Sequence, residues 1–491
     1  MYIEEIYKNL TEKATNNAVC IDDEYTTYGD LRHKVNGIRK AIRAKIPSEE
    51  KGIGLIVYSL PDTYAAIIAF WLEGKYYVPI LPFAPVERNQ EVVRESGVKH
   101  VFSRTDFSQD LCKDTLAIDN IEPCEDDMSF DASLIKSDDF AYLLFTSGST
   151  GIPKGVPITF GNVDAFIASM WSLGHEVYET DRCLQMFELT FDFSVTSYVL
   201  PIYAGACIYI IPEGEIKASY VLDLLEEYHL TVLNLVPSVI TYLKRFFDEL
   251  CIEETRLCSF CGEALLEDIT KEWQKCIPNS RIINFYGPTE DTVFCTYYDF
   301  NAETVKAHNG VVSIGKDMPN NFSIILNDKD QLAAAMEEGE LCLRGPQLTS
   351  GYWNPENNKN IFFEKDGYRW YRTGDLCYRD QDGDYMYIGR KDFQAKIQGF
   401  RVELAEIEHF AKEAHESRPE CICVAYQSNG LATLGLAVHS KPLDKEIFIN
   451  HIKSQLPPYE VPSKVLFFDA FPLNTNGKID RKEIIKFFEN E

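Results

Sequence analysis

The chain of 491 residues has little positive charge: 48 Lys and Arg stand against 76 Asp and Glu, a formal net charge of −28. That excess of acid disfavours non-specific binding to nucleic acid or anionic lipid, so small molecules or proteins are the expected partners. Long apolar runs are missing too. A spanning helix needs ~18 or more apolar residues, and even Ala65 to Leu72 is closed off by Glu73 and Gly74, so membrane insertion is not expected. The start, Met1-Tyr2-Ile3-Glu4-Glu5-Ile6, has acids where a secretory leader carries bases, and no apolar core follows, which predicts a cytoplasmic protein. Of 14 cysteines Cys421 and Cys423 lie closest together, and the alternation from Glu420 to Tyr426 fits a strand better than a metal clip. The cysteines are expected to be reduced thiols acting as small hydrophobes.

What the chain does have is bulk: 45% hydrophobic residues and a length that suggests roughly two to four domains. Gly52 to Tyr58 reads as a buried strand and Tyr64 to Leu72 as a helix. From about residue 206 one unit recurs: Cys207 to Ile211, a helix with Val221, Leu224, Leu225 and Tyr228, then Thr231 to Leu235, and further apolar runs near Leu257 and at Arg281 to Phe285. Strand and helix signals roughly every 25 residues predict βα units and a mostly parallel sheet. Beyond Gly310 short strands with turn residues predict a β-rich subdomain, for instance Phe322 to Leu326 and Tyr385 to Ile388. A small α+β portion follows, with a helix at Leu404 to Ala411, strands near Val424 and Leu434 to Val438, and a helix from Asp444 to Leu456. The fold class is α/β: a large N-terminal domain over 1–390 and a small C-terminal α+β domain over 391–491.

Thr146 to Gly155 (Thr-Ser-Gly-Ser-Thr-Gly-Ile-Pro-Lys-Gly) follows the apolar run Ala141 to Phe145. Three glycines, four hydroxyls and a lysine suit a polyphosphate, because backbone N–H groups can converge on an anion without side-chain interference. The spacing is not that of the mononucleotide P-loop, since only Ser149 and Thr150 separate Gly148 from Gly151. Three further clusters are each bland alone. Asn284-Phe285-Tyr286-Gly287-Pro288-Thr289-Glu290 offers an aromatic for a base, a hydroxyl for phosphate and a carboxylate for Mg²⁺. At Tyr371 to Leu376 a turn presents Asp375, a carboxylate able to accept two ribose hydroxyls. Asn474 to Arg481 puts Lys478 in a turn-rich loop, before a helix that Asp480 can cap.

In this order, together with Phe191-Asp192-Phe193-Ser194, Gly262-Glu263-Ala264-Leu265, Gly389 to Asp392 and Lys396 to Glu408, the motifs resemble the adenylate-forming superfamily: acyl- and aryl-CoA synthetases, luciferases and amino-acid adenylation domains. The resemblance runs the whole length. It implies a mobile C-terminal domain and two half-reactions, in which ATP and a carboxylate give an acyl-adenylate and pyrophosphate, and a thiol then takes the acyl group. It implies ATP and Mg²⁺ as cofactors. Thr146, Ser147, Gly148, Thr150 and Lys154 would grip the outer phosphates, and Tyr286 would stack on adenine beside Gly262, Glu263, Ala264, Asn284 and Gly287. Thr289 would touch the α-phosphate, Glu290 would hold Mg²⁺, and Asp375 and Arg390 the ribose. Lys478 would bridge the adenylate and the substrate carboxylate. Asp392 would be the hinge that brings Lys396 to the site for the second half-reaction.

By the same resemblance Asp192 would pair with a substrate ammonium, in a pocket completed by Phe193, Thr196, Asn234, Ser259, Cys261, Phe285, Val293 and Phe294. Several of these are large, so a small amino acid is expected; glycine, alanine and serine stay open, and so does chirality. Ser259 to Glu263, Lys391 to Gln394 and Glu403 to His409 look most like stand-alone D-alanyl carrier protein ligases. A separate phosphopantetheinyl carrier protein is the expected acceptor, with coenzyme A second, and Lys478, Arg481, Lys482 and Lys486 are a candidate docking patch. The alternatives are an acyl- or aryl-CoA ligase for a small carboxylic acid, and a non-catalytic binding protein. Retention of both Lys478 and Glu290 speaks against the last.

Overall fold

A computed structural model describes residues 1–126, 128–147, 152–391, 394–473 and 479–490. Gly148, Thr150, Asp392 and Lys478 lie outside the described residues. The chain forms two compact units: Met1–Pro82, Val93–Leu144 and Gly155–Lys391 make the larger, while Phe83–Val92, Phe145–Lys154 and Asp392–Glu491 make the smaller.

In the larger unit a nine-stranded sheet runs in the order Lys316–Asp317, Thr296–Asp299, Arg281–Tyr286, Leu257–Phe260, Val232–Leu235, Arg182–Gln185, Cys207–Ile210, Asn17–Ile21, Glu24–Thr27. Its six inner strands from Arg281–Tyr286 to Asn17–Ile21 are parallel, as the recurring βα pattern predicts, and antiparallel pairs close both edges. A second, six-stranded sheet ends on Phe140–Thr146 and Lys154–Thr159, so the glycine-rich loop joins two neighbouring strands. The helix Pro61–Leu72 starts with Pro at its first turn, where the missing N–H costs nothing, and is buried on nearly every side. Trp71 on it donates to the Ala141 carbonyl (2.8 Å) and meets the rings of Tyr2, Tyr77, Phe160 and Tyr198. The helix Phe160–Ser172 opens on a capping box between Thr159 and Asn162, which satisfies two orphan N–H groups. The β-rich subdomain pairs Phe322–Leu326, Gly339–Arg344, Tyr368–Arg379, Phe362–Lys365 and Tyr385–Arg390.

In the smaller unit the hairpin Gln394–Ile397 and Phe400–Glu403 precedes a three-stranded sheet, Cys421–Ser428, Leu431–His439 and Lys464–Phe468. Helices Leu404–Glu413, Lys445–Gln455 and Arg481–Asn490 complete it. Cys421 and Cys423 are fully buried and pack with Ile407, Leu436 and Phe448, so alternation on a strand is the right reading of that pair; none of the fourteen cysteines, all among the described residues, is in a disulfide. Asp480 accepts from the Glu483 N–H (3.1 Å), capping the last helix as expected.

Several expectations change. Asp375 lies within the strand Tyr368–Arg379 rather than in a turn, and the helix expected from Tyr64 begins at Pro61. The strand at Gly52 ends at Ile56 rather than Tyr58. The docking patch loses a member, because Arg481 turns inward: its guanidinium donates to the Cys423 carbonyl (2.6 Å) and pairs with Glu408 (2.7 Å). Lys486 is exposed but paired with Glu483 on its own helix. Among the described residues no helix is long and apolar enough to cross a membrane.

Candidate active site

The parallel strand Arg281–Tyr286 delivers Tyr286 to the carboxyl end of the sheet, where a doubly wound fold places its ligands. The Tyr286 hydroxyl donates to Asp375 Oδ2 (2.5 Å), and Arg390 Nη1 donates to Asp375 Oδ1 (3.0 Å). Arg390 Nη2 also reaches the Thr373 carbonyl (3.1 Å), and the Asp375 N–H donates to Thr373 Oγ1 (2.9 Å). Asp375 and Arg390 face each other in antiparallel register on Tyr368–Arg379 and Tyr385–Arg390, so the sheet fixes the pair. Burial and the neighbouring Asp375 carboxylate push the Tyr286 phenol well above its usual range, so it remains a donor. Three residues expected at the nucleotide, distant in sequence, thus form one buried network.

Its neighbours have firm structural employment. Gly287 has no room for a side chain: a Cβ there would stand 2.3 Å from the Val293 carbonyl oxygen. Asn284 Nδ2 donates to the Ser313 carbonyl (2.9 Å), tying the strand to the next loop. Glu263 Oε2 accepts from the Ser238 N–H (2.8 Å) in the first turn of the helix Pro237–Leu243, Gly262 holds a left-handed φ of 90°, and Ala264 is exposed.

Thr289 opens a short 3-10 turn through Asp291. Glu290 within it is fully buried, and the Tyr352 hydroxyl donates to its Oε1. Next to it, neither carboxylate oxygen of Asp291 has a hydrogen-bond partner among the described residues. Burial first, then Asp317 and Glu290, push the Asp291 carboxyl up to about 7, against a lowering contact from Cys295. No group of three or more His, Cys, Asp or Glu among the described residues forms a ready cage. One carboxylate in a surplus of negative charge, with phosphate and water supplying the rest, is what Mg²⁺ commonly uses, so the donor set fits that ion.

The residues expected around the acyl group gather in the larger unit. Asp192 is 7% exposed and precedes the helix Ser194–Ala204. Phe193 stacks on Phe187 (centroids 4.4 Å, 24° between planes) and meets Phe294 edge-on (5.2 Å, 73°); Phe294 stacks flat on Phe285 (4.4 Å, 6°). Thr196 Oγ1 donates to the Phe193 carbonyl (2.6 Å), Asn234 Nδ2 to Ser197 Oγ (3.1 Å), and Ser259 Oγ shares a hydrogen bond with His175 Nε2 (3.1 Å). Cys261 and Val293 are buried, and Val293 takes a φ of 72°, uncommon for a β-branched residue. His175 and Tyr352 have no motif around them; their partners come from distant strands and loops, which only the fold brings near.

In the smaller unit Ser147 Oγ donates to the Arg401 carbonyl (2.9 Å) and accepts from the Glu403 N–H (3.1 Å). Lys154 Nζ is 3.9 Å from Glu403 Oε1, and Thr146 Oγ1 reaches the Lys154 carbonyl (3.4 Å). Lys396 is half-buried on Gln394–Ile397, opposite Arg401.

Residues 8–353 match the family model described as "AMP-binding enzyme". The chain belongs to that family, the adenylate-forming, ATP-dependent and AMP-forming ligases. Tyrocidine synthase 1 of Brevibacillus parabrevis is 30% identical over 480 residues, 95% of this chain and 43% of that protein. The D-alanine--D-alanyl carrier protein ligase of Bacillus cytotoxicus is 27% identical over 502 residues, 98% of both chains. The crystal structure of the Vibrio cholerae adenylation domain AlmE, in complex with glycyl-adenosine-5'-phosphate, superimposes with a TM-score of 0.86 at 24% identity, covering 100% of this chain and 98% of that one. The chain spans about a tenth of the length of the first curated relatives it matches.

Proposed function

We propose that this protein activates a small amino acid as its aminoacyl-adenylate, releasing pyrophosphate, and passes it to the phosphopantetheine thiol of a separate carrier protein. The observation that carries the reading is that Asp192 is buried, 7% exposed, next in sequence to Phe193, whose ring meets Phe294; a buried carboxylate at a substrate position suits an α-ammonium better than a plain carboxylic acid. The full-length likeness to a D-alanyl carrier protein ligase supports the acceptor.

In this reading Tyr286 carries adenine, Asp375 and Arg390 hold the ribose, and Thr289 meets the α-phosphate. Glu290 holds Mg²⁺, which when bound neutralises charge on the phosphate oxygens. Thr146 to Lys154 grips the leaving pyrophosphate. Lys478 stabilises the charge that gathers as the carboxylate attacks the α-phosphorus. The C-terminal domain, 391–491, turns about Asp392 and brings up Lys396 for thiol transfer.

ATP–pyrophosphate exchange across D- and L-amino acids and simple carboxylates tests the proposal. Exchange with a small amino acid, and a Michaelis constant for it raised at least about tenfold by Asp192→Ala, are expected. Turnover of coenzyme A with a substrate lacking an amine would instead establish the acyl-CoA ligase alternative.

A further inference from the structure

His175 has no part in the chemistry just described, yet its position is held tightly. It follows Gly174 at the end of the helix Phe160–Ser172, its N–H donates to the Met170 carbonyl (3.1 Å), and its side chain is 1% exposed. Nε2 shares a hydrogen bond with Ser259 Oγ at 3.1 Å, while Nδ1 has no partner among the described residues. Burial, with Arg281 and Arg256 nearby, pushes the imidazole down to about 3, so it is neutral at any working pH and acts through shape and one hydrogen bond.

Its ring stands edge-on against Phe285 (5.5 Å, 88°). Phe285 lies flat on Phe294, whose ring also meets Phe166 (5.9 Å, 67°) and Phe193, and Phe193 lies on Phe187. The aromatic series therefore runs unbroken from His175 to the residue after Asp192. Close-packed plates do not yield singly: a shift in one must be taken up by the next. The polar side chains expected at the acyl group are already engaged, Thr196 with the Phe193 carbonyl, Asn234 with Ser197 and Ser259 with His175. A substrate side chain would push against phenyl rings, and a substrate hydroxyl there would give up water for neighbours committed elsewhere.

We infer that the pocket selects glycine, and that His175 is a positioning residue which, through Ser259 and Phe285, holds the Phe285–Phe294 plates where they turn away any substituent on the substrate's α-carbon. The inference rests on the amino-acid reading above.

Exchange kinetics on the purified chain with glycine, D- and L-alanine, L-serine and acetate separate the two. Wild type is expected to show kcat/KM for glycine at least about tenfold above that for either alanine, the usual worth of one methyl or methylene in a fitted pocket. An alanine or serine equal to glycine overturns the selection and leaves the amino-acid reading standing; acetate equal to glycine overturns that reading as well. His175→Leu is expected to reduce the glycine-to-alanine ratio about tenfold, by raising KM for glycine and lowering it for alanine, with KM for ATP unchanged. His175→Gln, which can still hydrogen-bond Ser259, should recover part of the ratio. A uniform loss of kcat with the ratio intact would make His175 merely structural and overturn its positioning role. Should His175→Leu not fold, Ser259→Ala leaves the ring in place and must move the ratio in the same direction; an unmoved ratio overturns the role equally.

Discussion

Asp375→Asn is the sharpest probe of the nucleotide side, because it removes a charge and keeps the shape. Asp375 is 3% exposed, with Tyr286 on one oxygen and Arg390 on the other. A ribose hydroxyl bonded to a carboxylate is worth about 1.5–3 kcal/mol, and about 1.4 kcal/mol is a factor of ten, so KM for ATP should rise roughly 10- to 150-fold. The same change leaves Arg390 without its counter-charge, and breaking a buried pair costs about 3–5 kcal/mol of stability. The amide oxygen can still accept from Arg390, so the lower end of that range is expected in urea unfolding. The assay is pyrophosphate exchange with ATP varied, repeated with 2′,3′-dideoxy-ATP. Wild type should lose about as much affinity on removal of the two hydroxyls as on Asp375→Asn, and the variant should lose little more. A folded variant with unchanged KM for ATP, or an equal dideoxy penalty in both proteins, would refute the assignment of Asp375 to the ribose.

Lys478→Ala should lower adenylation by roughly 10²-fold or more, the scale of losing one electrostatic donor to the transition state; wild-type exchange would sink that role. Asp392→Pro should spare adenylation and cut thiol transfer, read as exchange against carrier loading, and equal losses count against a hinge there. Gly287→Ala should cost about 1–3 kcal/mol in denaturant unfolding and weaken amino-acid binding, since the added methyl would drive Val293 and Phe294 out of the pocket wall; unaltered stability would contradict the close approach.

Much of the candidate nucleotide side is legible in sequence because its groups sit in short motifs. Tyr286 reads as a strand-end residue and does end Arg281–Tyr286, whereas Asp375, read in a turn, lies inside the strand Tyr368–Arg379, where its hydrogen bonds join it to Tyr286 and Arg390. Phe322–Leu326 has the bounds expected of a short strand ended by turn residues. Other features depend on long-range approach and leave no local trace. Arg481 looks like part of a basic helix face, and nothing near it in sequence says that Glu408 and a carbonyl of Cys421–Ser428 will claim its guanidinium. His175 looks like a polar residue after a helix stop until the strands Leu257–Phe260 and Arg281–Tyr286 lie beside it. Resemblance assigns pocket residues such as Ser259 and Asn234, but which way each spends its hydrogen bond depends on Ser197 and His175, far away in the chain.

The N-terminal hairpin Asn17–Ile21 and Glu24–Thr27 joins the nine-stranded sheet by lying against Cys207–Ile210, Val19 opposite Ile208. That partner leaves the ribosome about 190 residues later, roughly 10–40 s at ordinary synthesis rates. Through that interval the buried strand residues Ala18, Val19 and Cys20 have no sheet to enter, and the bare edge is open to chaperones or to another nascent chain. The hairpin thus finds its place only after Cys207–Ile210 has followed it, and translation speed over the codons between them sets how long it waits.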